Sequence, residues 1–503
     1  MTESQSINQS SKPLNSKKMP KWCKFLILAL PVVISIFQVR SLDNDFFFLY
    51  STGDYIVKHG FPYTDMLSMH SSMKIVAQQW LSSVIFYSSY NFLREFGPLI
   101  ILYAINVLML FLTYRLISLI TKNEIISASF AALINILIFD PFMVTRPQIF
   151  TYVILLAEVC MLEKYVQTNK VKYLIGIPAL SLLLINLHAA MWPMLLVIML
   201  PYIISAVPLH TKSVNHDATG DLIMILAIFI VCIVVGLLNP YGFDNMIYLT
   251  KSYGKDNFNV IAEMKPTNIG VAEGKTFFAV LAVVFLIIFF IRKKAFAVRY
   301  FLLFTGTVLL GMMQIKGIPY GMLFGVPAFT YLIKDFDNTV ILEKLKKIIT
   351  KRIKVLIIIF LCCAVVLMCE GRFLTTSDIK MKNTAHYSKL YDIVGILNES
   401  EEPVYLYANF NDGQYFEFFG YHPYIDGRAE LFLESNNKEY DYFNEYLLML
   451  NGGYYYRNFV DKYQFNYLVV SKSLDTYLCS SLMHDDDFEA VYDTDDIMLF
   501  VRK

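Results

Sequence analysis

Charge is what this sequence has least of: 17% of its 503 residues are Asp, Glu, Lys or Arg, too few for an ordinary soluble enzyme or a disordered chain. Cysteine offers no framework either. Cys23, Cys160, Cys232, Cys362, Cys363, Cys369 and Cys479 are scattered without metal-ligand spacing, mostly inside apolar runs, so neither a disulfide scaffold nor a zinc site is implied. There is no complete Walker-type phosphate loop, no nucleophile elbow and no His-Glu-x-x-His. ATP-driven transport and the familiar hydrolase chemistries are therefore without support. No internal repeat is evident.

What is there instead is apolar. Hydrophobic residues make up 56% of the chain, and its mean hydropathy is +0.49. Runs near bilayer-spanning length recur at 25–39, 98–120, 125–140, 149–163, 173–187, 190–207, 221–238, 276–291, 299–314, 318–333 and 354–370. They predict an α-helical polytopic membrane protein with about 11 transmembrane helices. Lysines precede the first run and no small-residue cleavage site follows it at Arg40-Ser41-Leu42-Asp43, which marks a transmembrane helix and not a signal peptide.

Basic residues gather at Lys164, Lys170 and Lys172, at Arg292, Lys293, Lys294 and Arg299, and between Lys344 and Lys354. These loops alternate, which puts the N-terminus in the cytoplasm and, with an odd number of spans, the C-terminal region outside. Charge divides the chain in the same way: residues 371–503 hold 11 Lys+Arg against 22 Asp+Glu, leaving 32 against 20 for the rest. Neither part suggests a nucleic-acid partner. The expected organisation is a cytoplasmic basic tail over 1–24, a transmembrane bundle over 25–370 with an outer loop at 40–97, and an extracytoplasmic α/β domain over 371–503. In the outer loop, 46–59 and 75–93 read as weakly amphipathic helices on the membrane surface. Between Pro240 and Lys275 lies a second outward segment with no apolar run, fit to cover the same face. In the C-terminal domain, 404–410, 467–471 and 497–502 read as strands, and 386–399 and 439–463 as helices.

Six groups of residues carry chemical interest. Asp43-Asn44-Asp45 follows the first span, where a carboxylate can act as a general base or a pair can hold a divalent cation; marking the helix boundary is the alternative. Arg146 precedes the span at 149 and must meet an anion, either a local carboxylate such as Asp140 or a lipid phosphate. His188 follows Asn186 at the outer end of another span and can bond a sugar hydroxyl, a phosphate, Asn186 or backbone. Lys316 breaks the inside-positive trend, so phosphate contact and snorkelling weigh about equally. Asn239-Pro240-Tyr241-Gly242 and Asp426-Gly427-Arg428 read as turns.

Taken in order, these fragments resemble blocks of bacterial GT-C-type membrane glycosyltransferases. The first outer loop of that family is similar to Asp43-Asn44-Asp45-Phe46-Phe47-Phe48 with Ser51-Thr52-Gly53, to Gly60-Phe61-Pro62-Tyr63-Thr64-Asp65, and to Gln79-Trp80-Leu81. Arg146-Pro147-Gln148, Asn186-Leu187-His188, Asn239-Pro240-Tyr241-Gly242 and Ile425-Asp426-Gly427-Arg428-Ala429-Glu430 resemble later blocks. The chain departs from the pattern at Phe47, Phe48 and Leu49, where relatives carry tryptophans and a histidine, and at Gln79, where they carry Glu.

The resemblance implies an inverting sugar transfer from a polyprenyl-phosphate donor to a glycan, lipid or protein acceptor at the outer face of a bacterial plasma membrane. Asp43 and Asp45 would be the catalytic carboxylates and the ligands of a divalent cation, Mg or Mn, if one is used. Arg146, His188, Lys316, Asp65 and Gln79 would bind substrate, with membrane lipids around the bundle. The competing expectation is a transporter or assembly protein for lipid-linked oligosaccharide or polysaccharide, without catalysis.

Overall fold

The computed structural model describes residues 19, 21–38, 41–207, 220–248, 250, 261–291, 296–335 and 385–503. The expected span at 354–370, the basic stretch from Lys344, the cluster Arg292 to Lys294 and most of the 1–24 tail lie outside the described residues.

The first part is helical. Its elements are α1 (Lys21–Phe37), α2 (Phe46–His59), α3 (Trp80–Leu93), α4 (Phe96–Thr121), α5 (Glu124–Phe142), α6 (Gln148–Thr168), α7 (Ile177–Leu187), α8 (Trp192–Ala206), α9 (Leu222–Val235), α10 (Ala272–Phe290) and α11 (Val298–Met313). A run of short helical turns follows from Ile318 to Ile333, broken by a π-helical turn at Gly321–Gly325. Among the described residues, four helices are long and apolar enough to cross a membrane: α4, α5, Ala189–Ala206 and α10. Shorter apolar helices lie at Cys23–Ile36, Val171–Leu187, Leu222–Val235 and Val298–Met313. This is the chain of a membrane protein, because so much apolar helix surface faces outward: Ile223, Phe290 and Phe289 are each more than two-thirds exposed.

Helix ends follow local chemistry. The Asn123 side chain accepts the Ile125 and Ile126 N–H groups and opens α5, while Asp221 does the same for α9 through Ile223. α4 packs on α5 and α6, and α1 on α5. Arg299, expected in a basic loop, opens α11 as a buried residue. Its guanidinium donates to Glu163 at 3.1 Å, and that carboxylate also accepts from Tyr202 and Tyr300. A buried acid on α6 required a counter-ion more than the loop required a surface charge.

The C-terminal domain is a small α/β unit. Its longer helices are α12 (residues 385–398), α13 (Gly413–Phe418), α14 (Tyr442–Leu450), α15 (Tyr456–Lys462) and α16 (Thr476–Leu482), with a single helical turn at Glu434–Asn437. Its strands are β1 (Leu406–Ala408), β2 (Tyr467–Ser471), β3 (Phe488–Asp493) and β4 (Ile497–Arg502), in the order β1-β2-β4-β3. β1 runs parallel to β2, and β4 is antiparallel to both its neighbours. The expected helix at 439–463 is two helices, because Asn451-Gly452-Gly453 interrupts it and Gly452 takes φ 67°. β3 was not anticipated; it is the outer strand of a hairpin with β4 and most of its residues face solvent.

The outer loop joins the two parts. α2 lies against α3 and against α13, so Phe46, Phe47, Phe48, Leu49 and Ile56 are buried within protein. Phe46 contacts Phe86 and Tyr90, and Phe47 contacts Tyr387, Tyr415 and Phe418 of the C-terminal domain. Met73 and Ile75 share a core with Tyr424, Phe432 and Phe465. α2 and α3 cross at Gly53, where a Cβ would lie 2.3 Å from the Ser83 carbonyl oxygen. Gly53→Ala is expected to force the two helices apart and cost about 1–3 kcal/mol or more. Thermal unfolding in detergent checks it; an unchanged melting temperature contradicts the close crossing.

Candidate active site

Asp43-Asn44-Asp45 forms the turn that opens α2. The Asp43 carboxylate accepts the Asp45 N–H at 3.1 Å, and the Asp43 N–H donates to Thr145 Oγ1 at 3.0 Å. The three phenylalanines that follow are therefore an anchor for this turn: buried against α3 and α13, they fix where the two carboxylates stand. Arg146, next to Thr145, completes the group. Its Nε donates to Asp43 and lies 3.1 Å from Asp45 Oδ2, and its Nη1 reaches Glu263 at 3.1 Å. Arg146 thus meets carboxylates, as one of its two expectations had it, and these are Asp43, Asp45 and Glu263.

Three acids around one guanidinium leave excess negative charge. Burial, with the charges of Asp43, Glu263 and Glu430, pushes the Asp45 carboxyl up to about 8 against the pull of Arg146. Burial alone would weaken the proton affinity of Arg146, but its carboxylates more than offset that and hold it charged.

A cavity of about 990 Å³ opens beside this cluster, between the bundle and the C-terminal domain. Asp45, Arg146, His188, Lys316 and Gln79 line it, together with Glu263 and Glu430. Asp43 is not among the lining residues and stands behind Arg146. The His188 Nδ1 pairs with Thr151 Oγ1 at 2.9 Å, whereas Asn186 takes the Trp80 indole N–H instead. Burial, helped by the Lys316 charge, lowers His188 to about 3, so the imidazole is neutral.

Lys316 sits in the tight connection after α11, held where the Ile315 N–H meets the Lys265 carbonyl at 3.1 Å. It makes no ion pair among the described residues, and burial lowers its proton affinity while Glu430 and Glu263 raise it. The remaining wall mixes apolar residues of the bundle, such as Met194 and Val197, with Phe443 and Leu447 of α14.

Asp65 lies elsewhere. Both its oxygens are taken by Arg428, at 2.6 and 3.3 Å, and one also accepts from the Ser68 N–H. It is not among the residues lining the cavity. Arg428 also binds Asp426 and approaches Glu417 at 3.6 Å, so it clasps the outer loop to the C-terminal domain. Burial and the Asp426 charge raise the proton affinity of Glu417, while Arg428 makes its close contacts with Asp65 and Asp426. This clasp sets Gly427 over the acidic turn: a Cβ there would be 3.4 Å from Asp45 Oδ1. Asn239 to Gly242 is the expected turn, with Gly242 at φ 53° and the Tyr241 hydroxyl bonded to the Pro62 carbonyl.

Glu263 and Glu430 were not singled out in the sequence. Glu263 lies in a segment with no apolar run, and Glu430 closes a block resembling the family in which only Asp426-Gly427-Arg428 reads as a local feature, a turn. A divalent cation does not fit the arrangement described. The bridging position between Asp43 and Asp45 is taken by the Arg146 Nε, and no cluster of three His, Cys, Asp or Glu suited to a metal occurs among the described residues.

No protein-family model matches the chain, and no curated protein matches it in sequence. Solved structures do match it, 16 chains in all. One is the crystal structure of the Archaeoglobus fulgidus oligosaccharyltransferase tethered through a disulfide bond to an acceptor peptide containing the NVT sequon. The superposition has a TM-score of 0.55 at 11% identity and covers 96% of this chain and 74% of that one. The likeness runs through bundle and C-terminal domain alike, and the chain shares the overall fold of that oligosaccharyltransferase.

Proposed function

We propose that this protein is an inverting GT-C-type glycosyltransferase of a bacterial plasma membrane, moving a sugar from a polyprenyl-phosphate donor to an acceptor hydroxyl at the outer face. The N-terminus is cytoplasmic and the C-terminal domain extracytoplasmic, with about 11 spans between. The observation that carries the reading is the cavity itself: a carboxylate with raised proton affinity, a guanidinium, a neutral imidazole and an ammonium with no ion pair among the described residues share one chamber at the rim of an apolar bundle. The archaeal neighbour, an oligosaccharyltransferase tethered to an acceptor peptide, supports transfer chemistry in this fold.

In this reading Asp45 is the general base. It takes the proton of the acceptor hydroxyl as the oxygen attacks the anomeric carbon; the bond from that carbon to the phosphate oxygen breaks, and its electron pair leaves on the phosphate. Asp43 is a positioning residue, holding the Asp45 N–H and the Arg146 guanidinium. Lys316 receives the charge that develops on the leaving phosphate, with His188 beside it, because Arg146 is already committed to carboxylates. Gln79 is a hydrogen-bonding residue for sugar hydroxyls, and the apolar bundle wall takes the polyprenyl chain. Glycans, lipids and proteins all carry the hydroxyl this chemistry needs. Asp65 holds the chamber together through Arg428.

The test is transfer from a panel of polyprenyl-phosphate sugars by purified protein in lipid, with the Asp43→Asn, Asp45→Asn double variant as control. Transfer lost in a folded variant supports the reading; movement of lipid-linked glycan across the membrane without transfer from any donor replaces it by the transporter. Lys316→Gln is expected to lower kcat by about 10²-fold, the scale of losing one charge-stabilising donor. An unchanged kcat would remove Lys316 from the leaving-group role.

A further inference from the structure

The GT-C resemblance brings with it a divalent cation on the acidic motif of the first outer loop. In this chain that place is filled from within. The Arg146 Nε donates to Asp43 and is 3.1 Å from Asp45 Oδ2, while Nη1 lies 3.1 and 3.3 Å from the two oxygens of Glu263. One guanidinium therefore contacts every acid of the cluster, with the side chain four-fifths buried. Its planar fork presents separate donors in fixed directions, which lets one cation serve several carboxylates.

The approach is built into the backbone and does not depend on a long arm swinging in. Thr145 takes the Asp43 N–H, so the two chain segments are already tied at the residue before Arg146. Pro147 then begins the turn into α6, and the Arg146 N–H is itself bonded to the Val144 carbonyl at 2.7 Å. For a metal ion to bridge Asp43 and Asp45, the guanidinium would have to leave, stranding a buried charge beside the ion. That stranding opposes metal binding more strongly than an empty acidic pair would.

We propose that the Arg146 side chain is the resident cation of this site, occupying the position between Asp43 and Asp45 that a divalent ion would take, and that the wild-type site binds no such ion. The inference rests on the reading of this chamber as the catalytic one, but its test uses neither donor nor acceptor. Failure of transfer from all donors would sink the function without touching the metal result.

The probe is Mn²⁺, titrated into full-length protein in lipid nanodiscs while the electron paramagnetic resonance signal of the free ion is followed. Wild type is expected to leave the signal at its buffer value. Arg146→Gln removes the cation and frees Asp43, Asp45 and Glu263, and Mn²⁺ affinity is expected to rise by at least about tenfold, a shift of one decade in the titration. Adding Asp43→Asn and Asp45→Asn to that variant should abolish the gain. Retained melting in nanodiscs verifies the fold, and Arg146→Lys, which keeps the charge, should stay near wild type. Uptake of one Mn²⁺ per wild-type chain that disappears in Asp43→Asn overturns the proposal. Equal lack of binding in wild type and folded Arg146→Gln also overturns it, since the guanidinium would then be filling no cation position.

Discussion

Asp45→Asn is expected to reduce sugar transfer by about 10²–10⁴-fold, the range over which a positioned general base contributes. The substitution nearly preserves shape, and the amide oxygen can still accept from Arg146, so the loss should come in kcat with the fold intact. The pH profile gives the sharper test. Only the carboxylate form accepts a proton, and the Asp45 carboxyl is pushed up to about 8 by burial, so wild-type activity should climb as pH rises through about 8. The Asp43 charge is among the causes that raise Asp45. Asp43→Asn should therefore move this limb to lower pH while reducing the rate less than Asp45→Asn does. If Asp43→Asn abolished transfer and Asp45→Asn merely moved the limb, the two roles would have to be exchanged.

Arg428→Ala should be the most destabilising single change outside the bundle. The guanidinium is nearly buried and holds the fully buried Asp65 and Asp426, so its removal leaves two carboxylates without their cation, at a cost of about 3–5 kcal/mol. Arg428→Ala should also lower transfer, because the clasp sets Gly427 over Asp45. Asp65→Asn should cost less, since Asp426 still satisfies the arginine; a double-mutant cycle measures the coupling.

Acid should reproduce part of the effect. Burial alone would raise Asp65, but Arg428 and Ser68 hold it below the usual carboxylate range. A carboxyl depressed in the folded state contributes stability fully above its unfolded value of 3.8 and loses it as pH falls through the lower folded value. Unfolding curves between neutral pH and pH 3 that track each other in wild type and Asp65→Asn would contradict this.

The bundle was legible because apolar runs of spanning length leave little choice of structure, and ten of the eleven expected runs coincide with described helical segments. The acidic turn was legible for a related reason: two carboxylates beside three phenylalanines make no sense at a lipid boundary. What the sequence could not show was why they are adjacent, since the rings that bury Phe47 come from Tyr387, Tyr415 and Phe418, more than 300 positions away. Glu263 and Glu430 were missed on the same ground, because convergence of unpatterned loops leaves no periodic trace. Asp65 is a different case: it stands in a block resembling the family, and local sequence carries no trace of its partner Arg428, 363 positions away.

The pairing of Asp65 with Arg428 spans 363 positions, and it has a bearing on how the molecule is made. Ribosomal synthesis delivers the acidic turn early and the clasp late, with the helical bundle between them. Closing so long a loop costs only slightly more entropy than closing a short one, so the delay is set by translation and not by the search for the contact. Until residues 385–503 emerge and fold, the acidic turn has Asp43, Arg146 and Glu263 but lacks its roof and the charge of Glu430, and the burial that raises Asp45 is incomplete. The chamber is therefore walled on all sides only after the bundle is already in place, since part of its lining comes from residues 385–503.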